Sequence, residues 1–192
     1  MKRLLLTASL AASAVLPSAV HAQAIPGAVI AIVDLEKVTS TCNACKTASA
    51  ALRSQATALQ TRQQALATPL QTEQKSIQAA IDALKGKEPD AALQSRARAF
   101  QTKQQQAASE LQNQQAQIQR NQQYISKQIQ DKLNPIYQQV MQRRGATVLI
   151  ETGATLATSQ SVDVTNDILA GLNSSLPSIV TTAPAQQAPQ GR

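Results

Sequence analysis

Apolar residues recur at steps of three, four or seven along most of the chain, in two runs that are separated by a short polar segment. The first run begins near Lys46 and the second ends near Val140, and the positions between the apolar ones are mostly Gln. This spacing is typical of helices that pack as a coiled coil. The separating segment, residues 86–90, carries a Gly and a Pro, which favour a helix stop and a new start. The pattern therefore predicts two long helices within residues 46–144.

The two runs also share one register. Residues that face each other across an antiparallel hairpin have position numbers with a constant sum, and seven apolar pairs here share the sum 177. The pairs are Leu84 with Leu93, Ile77 with Phe100, Leu70 with Ala107, Leu66 with Leu111, Leu59 with Ile118, Leu52 with Ile125, and Ala48 with Ile129. This register predicts a hairpin centred between Glu88 and Pro89, with arms of roughly 60–80 Å at about 1.5 Å per residue. Pro69, inside the first arm, is expected to bend its helix without ending a domain.

Short β-branched runs flank the hairpin on both sides. Their composition predicts strands at residues 28–33 and 147–151, and a third, weak strand at residues 154–157. We therefore assign residues 23–45 and 145–176 to one small β-containing body into which the hairpin is inserted. A body of this size is marginally stable alone and presents strand edges that need cover, so we expect it to oligomerise.

The end of the chain is expected to form one short helix and a tail. Thr165 is a plausible N-cap with Asp167 favourable in the first turn, and the helix is expected to end near Asn173. The segment 177–192 is rich in Pro, Ala, Gln and Thr, a composition that cannot bury enough apolar surface to fold. We predict that this tail is disordered.

The amino terminus resembles a secretory signal peptide. Lys2 and Arg3 precede an apolar stretch, and small residues follow at a cleavage site after Ala22, with a second candidate site after Ala24. We assign residues 1–22 to the signal; the alternative is an uncleaved anchor. The mature protein is then expected to be soluble in an exported compartment.

Composition and charge narrow the function. Aromatic residues make up only 2% of the chain, so a large aromatic core is excluded. The formal net charge is +7, and residues 46–144 alone hold 14 Lys or Arg against 6 Asp or Glu. Such a surface attracts nucleic acid, anionic lipid or acidic proteins, although it also suits a plainly solvated helix, and export argues against nucleic acid. The residues that we assign to this basic surface are Arg96, Arg98, Arg120 and Lys127.

The sequence offers few groups for catalysis. The only His is His21, in the predicted signal peptide, so His-based triads and His-ligated zinc are excluded from the mature chain. We predict no enzyme activity, no cofactor and no metal. Cys42 and Cys45 form a C-x-x-C motif with three readings. They form a local disulfide or inert pair, they cross-link protomers, or they act as a redox pair.

Three short motifs, in this order around the hairpin, resemble the Skp/OmpH family of periplasmic chaperones. Residues 30–34 are similar to the first strand of that family, and residues 146–150 with Gly153 and Ala154 to its next two strands. Residues 163–169 are similar to the start of its closing helix. The order of strand, long hairpin, strands and short helix covers nearly all of the mature chain.

The resemblance implies a homotrimer in the periplasm whose bodies form a joint β-core and whose hairpins surround a cavity. It implies ATP-independent binding of unfolded outer-membrane β-barrel proteins, and contact with anionic membrane lipid or lipopolysaccharide. The body residues expected to support assembly are Ile30, Ile32, Val148 and Ile150.

The chain departs from the family pattern in its Gln-rich, less densely charged arms, its C-x-x-C motif and its Pro/Gln tail. The alternative function is a structural or adaptor hairpin of the cell envelope.

Overall fold

The computed structural model describes residues 27–185, which fold into a small body and one long helical hairpin. The predicted signal peptide, residues 1–22, lies outside the described residues, as do residues 186–192 of the predicted tail. The regular elements are β1 (Ile30–Val33), α1 (Leu35–Thr41), α2 (Asn43–Ala83), α3 (Ala91–Arg144), β2 (Val148–Glu151) and α4 (Thr165–Ser175). Among residues 27–185, no helix is both long enough and apolar enough to cross a membrane.

The predicted hairpin and its turn are confirmed. Helix α2 ends at Ala83, and both Lys85 and Gly86 adopt positive φ angles in the turn. Helix α3 then starts behind Asp90, whose Oδ1 accepts a hydrogen bond of 2.8 Å from the backbone N–H of Leu93. Such an N-cap satisfies a donor that has no partner within the helix.

Two of the polar side-chain pairs that bond across the arms lie close to the predicted register. Lys103 Nζ contacts Glu73 Oε2 at 2.8 Å, and Asn121 Nδ2 donates to Gln55 Oε1 at 2.8 Å. The position numbers of each pair sum to 176, within one residue of the predicted 177. Helix α2 runs through Pro69 without a break, whereas the bend at this residue stays a prediction.

The arms bury little of their apolar surface. No residue of α2 between positions 49 and 76 is buried, and seam residues such as Leu52, Leu59 and Leu66 are only half-buried. Ile77 and Ala107 are the main buried contacts of the distal arms. The hairpin is therefore a loosely packed pair of helices for most of its length.

The β part of the body is smaller than predicted. Strands β1 and β2 pair in parallel, with Ile30 opposite Val148, and Ile32 makes one additional bridge to Asp163. The third strand predicted at residues 154–157 is wrong, because the chain there forms a 3₁₀ turn over Thr152–Ala154 and then continues irregularly. A turn at Gly153 leaves no run long enough to extend the sheet.

The core lies where the base of the hairpin meets α4, α1 and β1. It includes residues from the last turns of α3, which the sequence analysis had placed in the arms. The buried apolar residues of this core are Ala31, Val33, Val38, Cys42, Ala44, Cys45, Leu133, Ile136, Val140, Val164, Ile168, Leu172 and Leu176. Helices α3 and α4 approach closely at Gly171, where an added Cβ would lie 2.9 Å from Ile136 Cγ2. Thus the carboxyl end of α3 belongs structurally to the body.

The start of α4 differs from the prediction. Thr165 is the first helical residue rather than the N-cap, and its Oγ1 accepts a hydrogen bond of 2.9 Å from the backbone N–H of Asp34. Asp163 Oδ1 instead accepts the Thr165 N–H at 2.8 Å. Hydrogen bonds from Thr165 hold the pKa of Asp163 below its ordinary value. These bonds tie α4 to the end of β1, and the helix continues to Ser175, two residues beyond the predicted end.

Candidate functional site

The residues expected to support assembly divide between the surface and the interior. Ile30 is 46% exposed and Val148 is 38% exposed, and the two lie opposite each other in the sheet. Ile150 is half-buried, whereas Ile32 is only 4% exposed and belongs to the interior of its own chain. Ile32 is therefore not available as a contact residue in this conformation.

A third exposed residue, Val29, extends this surface. Val29 is half exposed, its backbone oxygen accepts from Thr147 N–H at 2.8 Å and from Val148 N–H at 3.1 Å, and its own N–H donates to Thr147 Oγ1 at 2.9 Å. Val29, Ile30 and Val148 are thus three exposed apolar residues that lie together at the start of the two strands, and we call them the apolar edge. Such an uncovered strip suits an interface between protein chains.

The four basic residues chosen from the sequence do not form one surface. Arg96 and Arg98 are exposed near the hairpin turn, with Arg96 Nη2 donating to Ser76 Oγ at 2.9 Å. Lys127 lies far along α3 and forms an ion pair of 2.7 Å with Asp131 one turn later. Arg120 is half-buried and donates to Gln117 Oε1, and its buried Nε has no hydrogen-bond partner among residues 27–185.

Arg120 therefore departs from the predicted basic surface, because its Nε atom is buried and the residue is only partly exposed.

An exposed ion pair links the arms in the region that lacks buried contacts. Arg62 Nε contacts Glu110 Oε1 at 2.6 Å and its Nη2 donates to Oε2 at 2.9 Å. The hydrogen bond from Arg62 lowers the pKa of Glu110, and the same bond raises the pKa of Arg62. Because both groups are exposed to solvent, this pair contributes little to stability.

The C-x-x-C motif lies at the junction between body and hairpin. Cys42 and Cys45 form a disulfide within the chain, with 5.1 Å between their Cα atoms, and both residues are buried. Cys42 Sγ also accepts a hydrogen bond of 3.0 Å from the backbone N–H of Cys45 at the start of α2. This pairing is the local disulfide among the three readings, so both sulfurs are occupied within the chain and neither is available to cross-link protomers.

Over residues 27–185, no group of three or more His, Cys, Asp or Glu side chains converges as a metal site would require.

The carboxyl-terminal segment lies along the arms, against the prediction of disorder from residue 177. Gln128 holds Val180 by both ends of its side-chain amide: Nε2 donates to the Val180 oxygen at 2.8 Å, and Oε1 accepts from the Val180 N–H at 3.0 Å. Asn121 Oδ1 accepts from the Ala183 N–H at 2.8 Å. We call residues 177–185 the strap, and its ordering shows that a Pro-rich segment can be held through its backbone.

Two more amides complete the row that holds the strap. Gln55 Nε2 donates to the Thr181 oxygen at 3.3 Å, and Gln117 Nε2 donates to the Ala183 oxygen at 3.4 Å. The residues that share this role, which we call the amide track, are Gln55, Gln117, Asn121 and Gln128. Sequence reasoning missed the track because Gln at these positions looked like generic helix-forming, soluble residues. The signal that could have revealed it is the polar residue Asn121 at helical spacing between Ile118 and Ile125, with Gln55 within one residue of the hairpin register.

A comparison with models of protein families identifies the family of this chain. A family model described as Outer membrane protein (OmpH-like) matches residues 29–172, which extend from the start of the sheet into α4. The chain belongs to the OmpH-like family. The resemblance stated from the sequence motifs is thereby confirmed, and no curated protein matches the chain.

The OmpH-like fold is also found among solved structures. A crystal structure of a candidate outer membrane chaperone (OmpH-like) from Caulobacter crescentus CB15 superposes with a TM-score of 0.68 at 22% sequence identity. The alignment covers 87% of this chain and 96% of that chain. The match supports a mostly helical fold with a long hairpin inserted in a small two-stranded body.

The disulfide and the four amides of the track lie within the matched residues, whereas the strap follows the matched segment, which ends at residue 172.

Proposed function

We propose that this protein is a periplasmic holdase chaperone that binds unfolded outer-membrane β-barrel proteins without ATP and prevents their aggregation. The observation that carries the proposal is membership of the OmpH-like family across the whole body and hairpin. The absence of a His outside the predicted signal peptide agrees with a binding role rather than an enzymatic one.

The packing of the arms supports a role in holding clients. Apolar side chains along the seam, such as Leu59 and Leu66, remain half-exposed because the opposite arm covers them only partly. A client segment can therefore contact apolar atoms at many points without entering a deep pocket. Many weak contacts on one molecule give useful affinity through their combined effect.

Assembly into a homotrimer is part of the proposal. The apolar edge is uncovered in the single chain, and a two-stranded sheet is smaller than an independently stable one. Contact between three apolar edges would bury Val29, Ile30 and Val148 and would extend the sheet. Three hairpins would then extend from one joint body around a common cavity.

The charge of the hairpin and a location in the periplasm are also part of the proposal. Residues 46–144 carry an excess of eight positive charges, from 14 basic and 6 acidic residues. This excess favours capture of acidic β-barrel clients and contact with anionic lipid or lipopolysaccharide. Such clients are met in the periplasm, which agrees with the signal-like residues 1–22.

An aggregation assay with an unfolded outer-membrane β-barrel protein tests this function. The mature chain is expected to suppress light scattering without nucleotide, at about one trimer per client. A shortened variant lacks residues 62–115 and joins the arms by a short Gly/Ser turn, which keeps the 177 register because residues 61 and 116 face each other. It is expected to assemble through its intact body but to lose suppression.

The control is a variant of full length with Arg96→Gln and Arg98→Gln, which keeps both arms and reduces their charge. It is expected to capture client more slowly at low salt, because exposed charges act over about 10 Å at 0.1 M salt. Suppression by the shortened variant equal to that of the full chain would refute the role of the arms. An assembled full-length protein without suppression would favour the structural or adaptor function.

A further inference from the structure

The hydrogen bonds between the arms and the strap are made to the strap backbone, while one strap side chain, that of Ile179, packs against the core of the body. All five of its hydrogen bonds to the amide track join a side-chain amide to a backbone N–H or C=O group of residues 180, 181 and 183. Every polypeptide carries these groups at the same spacing. The hydrogen bonds of the track therefore place no demand on the sequence of the bound segment, and only the contact of Ile179 with the core depends on a side chain.

The track is pre-organised by its own hydrogen bonds. Asn121 is only 3% exposed, and its side chain is fixed by Gln55 and Gln117. Asn121 Nδ2 donates to Gln55 Oε1 at 2.8 Å, and Gln117 Nε2 donates to Asn121 Oδ1 at 2.8 Å. The remaining acceptor capacity of Asn121 points to the strap. A fixed polar group of this kind loses little conformational entropy when it binds a peptide.

We propose that the amide track is a binding site for the backbone of an extended polypeptide, and that the strap is an intramolecular occupant that competes with clients for it. This inference rests on the proposed function for the identity of the clients, and it assigns them a defined contact site at the base of the hairpin. The partner is an unfolded chain of any sequence that offers free N–H and C=O groups.

The position of the track suits such a role. The track includes residues of both α2 and α3. A segment bound there therefore lies across both arms on the side of the body, away from the hairpin turn. Gln128 pairs with both backbone groups of Val180, as one strand pairs with a residue of its neighbour in a sheet. The strand segments of an unfolded β-barrel protein present the same pair of groups. The strap also leaves more easily than the core, because its bonds to the track are partly exposed to solvent.

The first experiment releases the strap without touching the arms. In the mature chain, Val180→Pro with Ala183→Pro removes the two backbone N–H groups that donate to Gln128 and Asn121. Thr182→Pro is the matched control, because the Thr182 N–H takes no part in the contact with the track. Circular dichroism checks that helix content is unchanged in both variants.

Binding is measured by fluorescence anisotropy with a labelled peptide copy of residues 177–192. The released variant is expected to bind this peptide about threefold to tenfold more tightly than the parent and the Thr182→Pro control, since two hydrogen bonds of the competitor are lost. Equal affinity for the released and parent proteins would refute competition by the strap.

Two altered peptides test whether the backbone is what the track recognises. A scrambled copy that keeps its prolines and Ile179 in place is expected to bind within about twofold of the original, whereas a copy N-methylated at positions 180 and 183 is expected to lose several-fold in affinity. Failure of the scrambled peptide to bind would mean that the track recognises only its own tail. Full binding of the N-methylated peptide would also overturn the proposal.

Side-chain variants locate the site on the arms. In the released background, Gln128→Ala is expected to lower peptide affinity several-fold, whereas Gln122→Ala, an exposed residue of the same helix outside the track, is expected to have no effect. Equal effects of the two changes would contradict the assigned site.

The peptide measurements also separate this proposal from the holdase proposal. The variant that lacks residues 62–115 retains all four amides, so it is expected to bind the peptide while losing aggregation suppression. Peptide binding without suppression by the full chain would leave the track proposal standing and refute the holdase function. Suppression by the full chain without peptide binding to the released variant would refute the track alone.

Discussion

The base of the hairpin and its distal arms use the same helices and the same apolar spacing, yet they are packed very differently. At the base, α3 is covered by α4 and α1, and residues such as Ile168 and Leu172 are completely buried. Along the distal arms, each helix has only the other as a neighbour, and most seam residues stay half-buried. Burial therefore depends on the number of packed elements more than on the heptad pattern. We expect the base to carry most of the stability and the arms to open at lower free energy.

The largest expected effect comes from a cavity in the base. Leu172→Ala removes a fully buried side chain between α4 and α3, and we expect the free energy of unfolding to fall by about 2–5 kcal/mol. The matched change in the arms, Leu66→Ala, removes a half-buried side chain and should cost clearly less. Urea denaturation of both variants, followed by circular dichroism, measures the difference. Equal losses would show that the two regions share one cooperative core.

Removal of the disulfide is expected to have the next largest effect. Cys42→Ala with Cys45→Ala opens a very short loop at the edge of the core, and we expect a loss of up to about 2 kcal/mol from greater freedom of the unfolded chain. The loss should appear in the body and leave the helix content of the arms unchanged. Comparison of the oxidised parent with the double variant in urea measures it; a stability equal to that of the parent would contradict a structural role.

A close helix contact gives a smaller and more specific effect. Gly→Ala in a helix normally stabilises by about 1 kcal/mol. At Gly171, however, the new Cβ would lie 2.9 Å from Ile136 Cγ2, and crowding in a packed core costs about 1–3 kcal/mol. We therefore expect Gly171→Ala to lower the melting temperature, whereas Ser174→Ala on the exposed side of α4 should leave it unchanged or slightly raised. A higher melting temperature for Gly171→Ala would mean that α3 and α4 pack less closely than described.

Lowering the pH is expected to have the smallest effect on stability, through the hydrogen bonds of Asp163 at the start of α4. Hydrogen bonds lower the pKa of Asp163 in the folded state relative to its ordinary value of 3.8. The unfolded chain therefore binds a proton more readily, so the contribution of Asp163 is present above about pH 4 and is lost as the pH falls through the lower folded pKa. Denaturation midpoints between pH 2 and pH 6 should fall less steeply for Asp163→Asn than for the parent. If the midpoints of the two proteins fall in parallel, a carboxylate other than Asp163 determines the loss of stability at low pH.

The apolar periodicity of the sequence was sufficient to predict the hairpin, because the hairpin arises from local helix geometry. The spacing of Leu and Ile, the break at residues 86–90 and the register near 177 all follow from geometry that neighbouring residues fix. The short helix α1, Leu35–Thr41, was missed because only seven residues separate Asp34 from Cys42 and its apolar residues are few. Asp34 begins that helix by accepting the Lys37 N–H at 2.7 Å, a capping signal that the sequence analysis read only as the end of a strand.

The remaining differences arise from contacts between distant parts of the chain. Ile32 and Ile30 look equivalent in the sequence, but the bridge to Asp163 covers one and leaves the other exposed. Arg120 looks like any other surface cation until neighbouring groups cover it. The strap has a composition typical of disorder, and only the folded arrangement brings its backbone to Gln128 and Asn121. Long-range backbone recognition leaves no periodic trace from which it could be predicted.

The parallel pairing of β1 with β2 also dictates the order in which the chain can fold. Val29 and Thr147 bond across a separation of 118 residues, and a loop of that length is costly to close at random. The hairpin can instead form from its turn toward its base through local contacts between the two helices. Its formation then brings the two strands close together. The first strand, made earliest, must therefore wait unpaired until almost the whole chain has emerged.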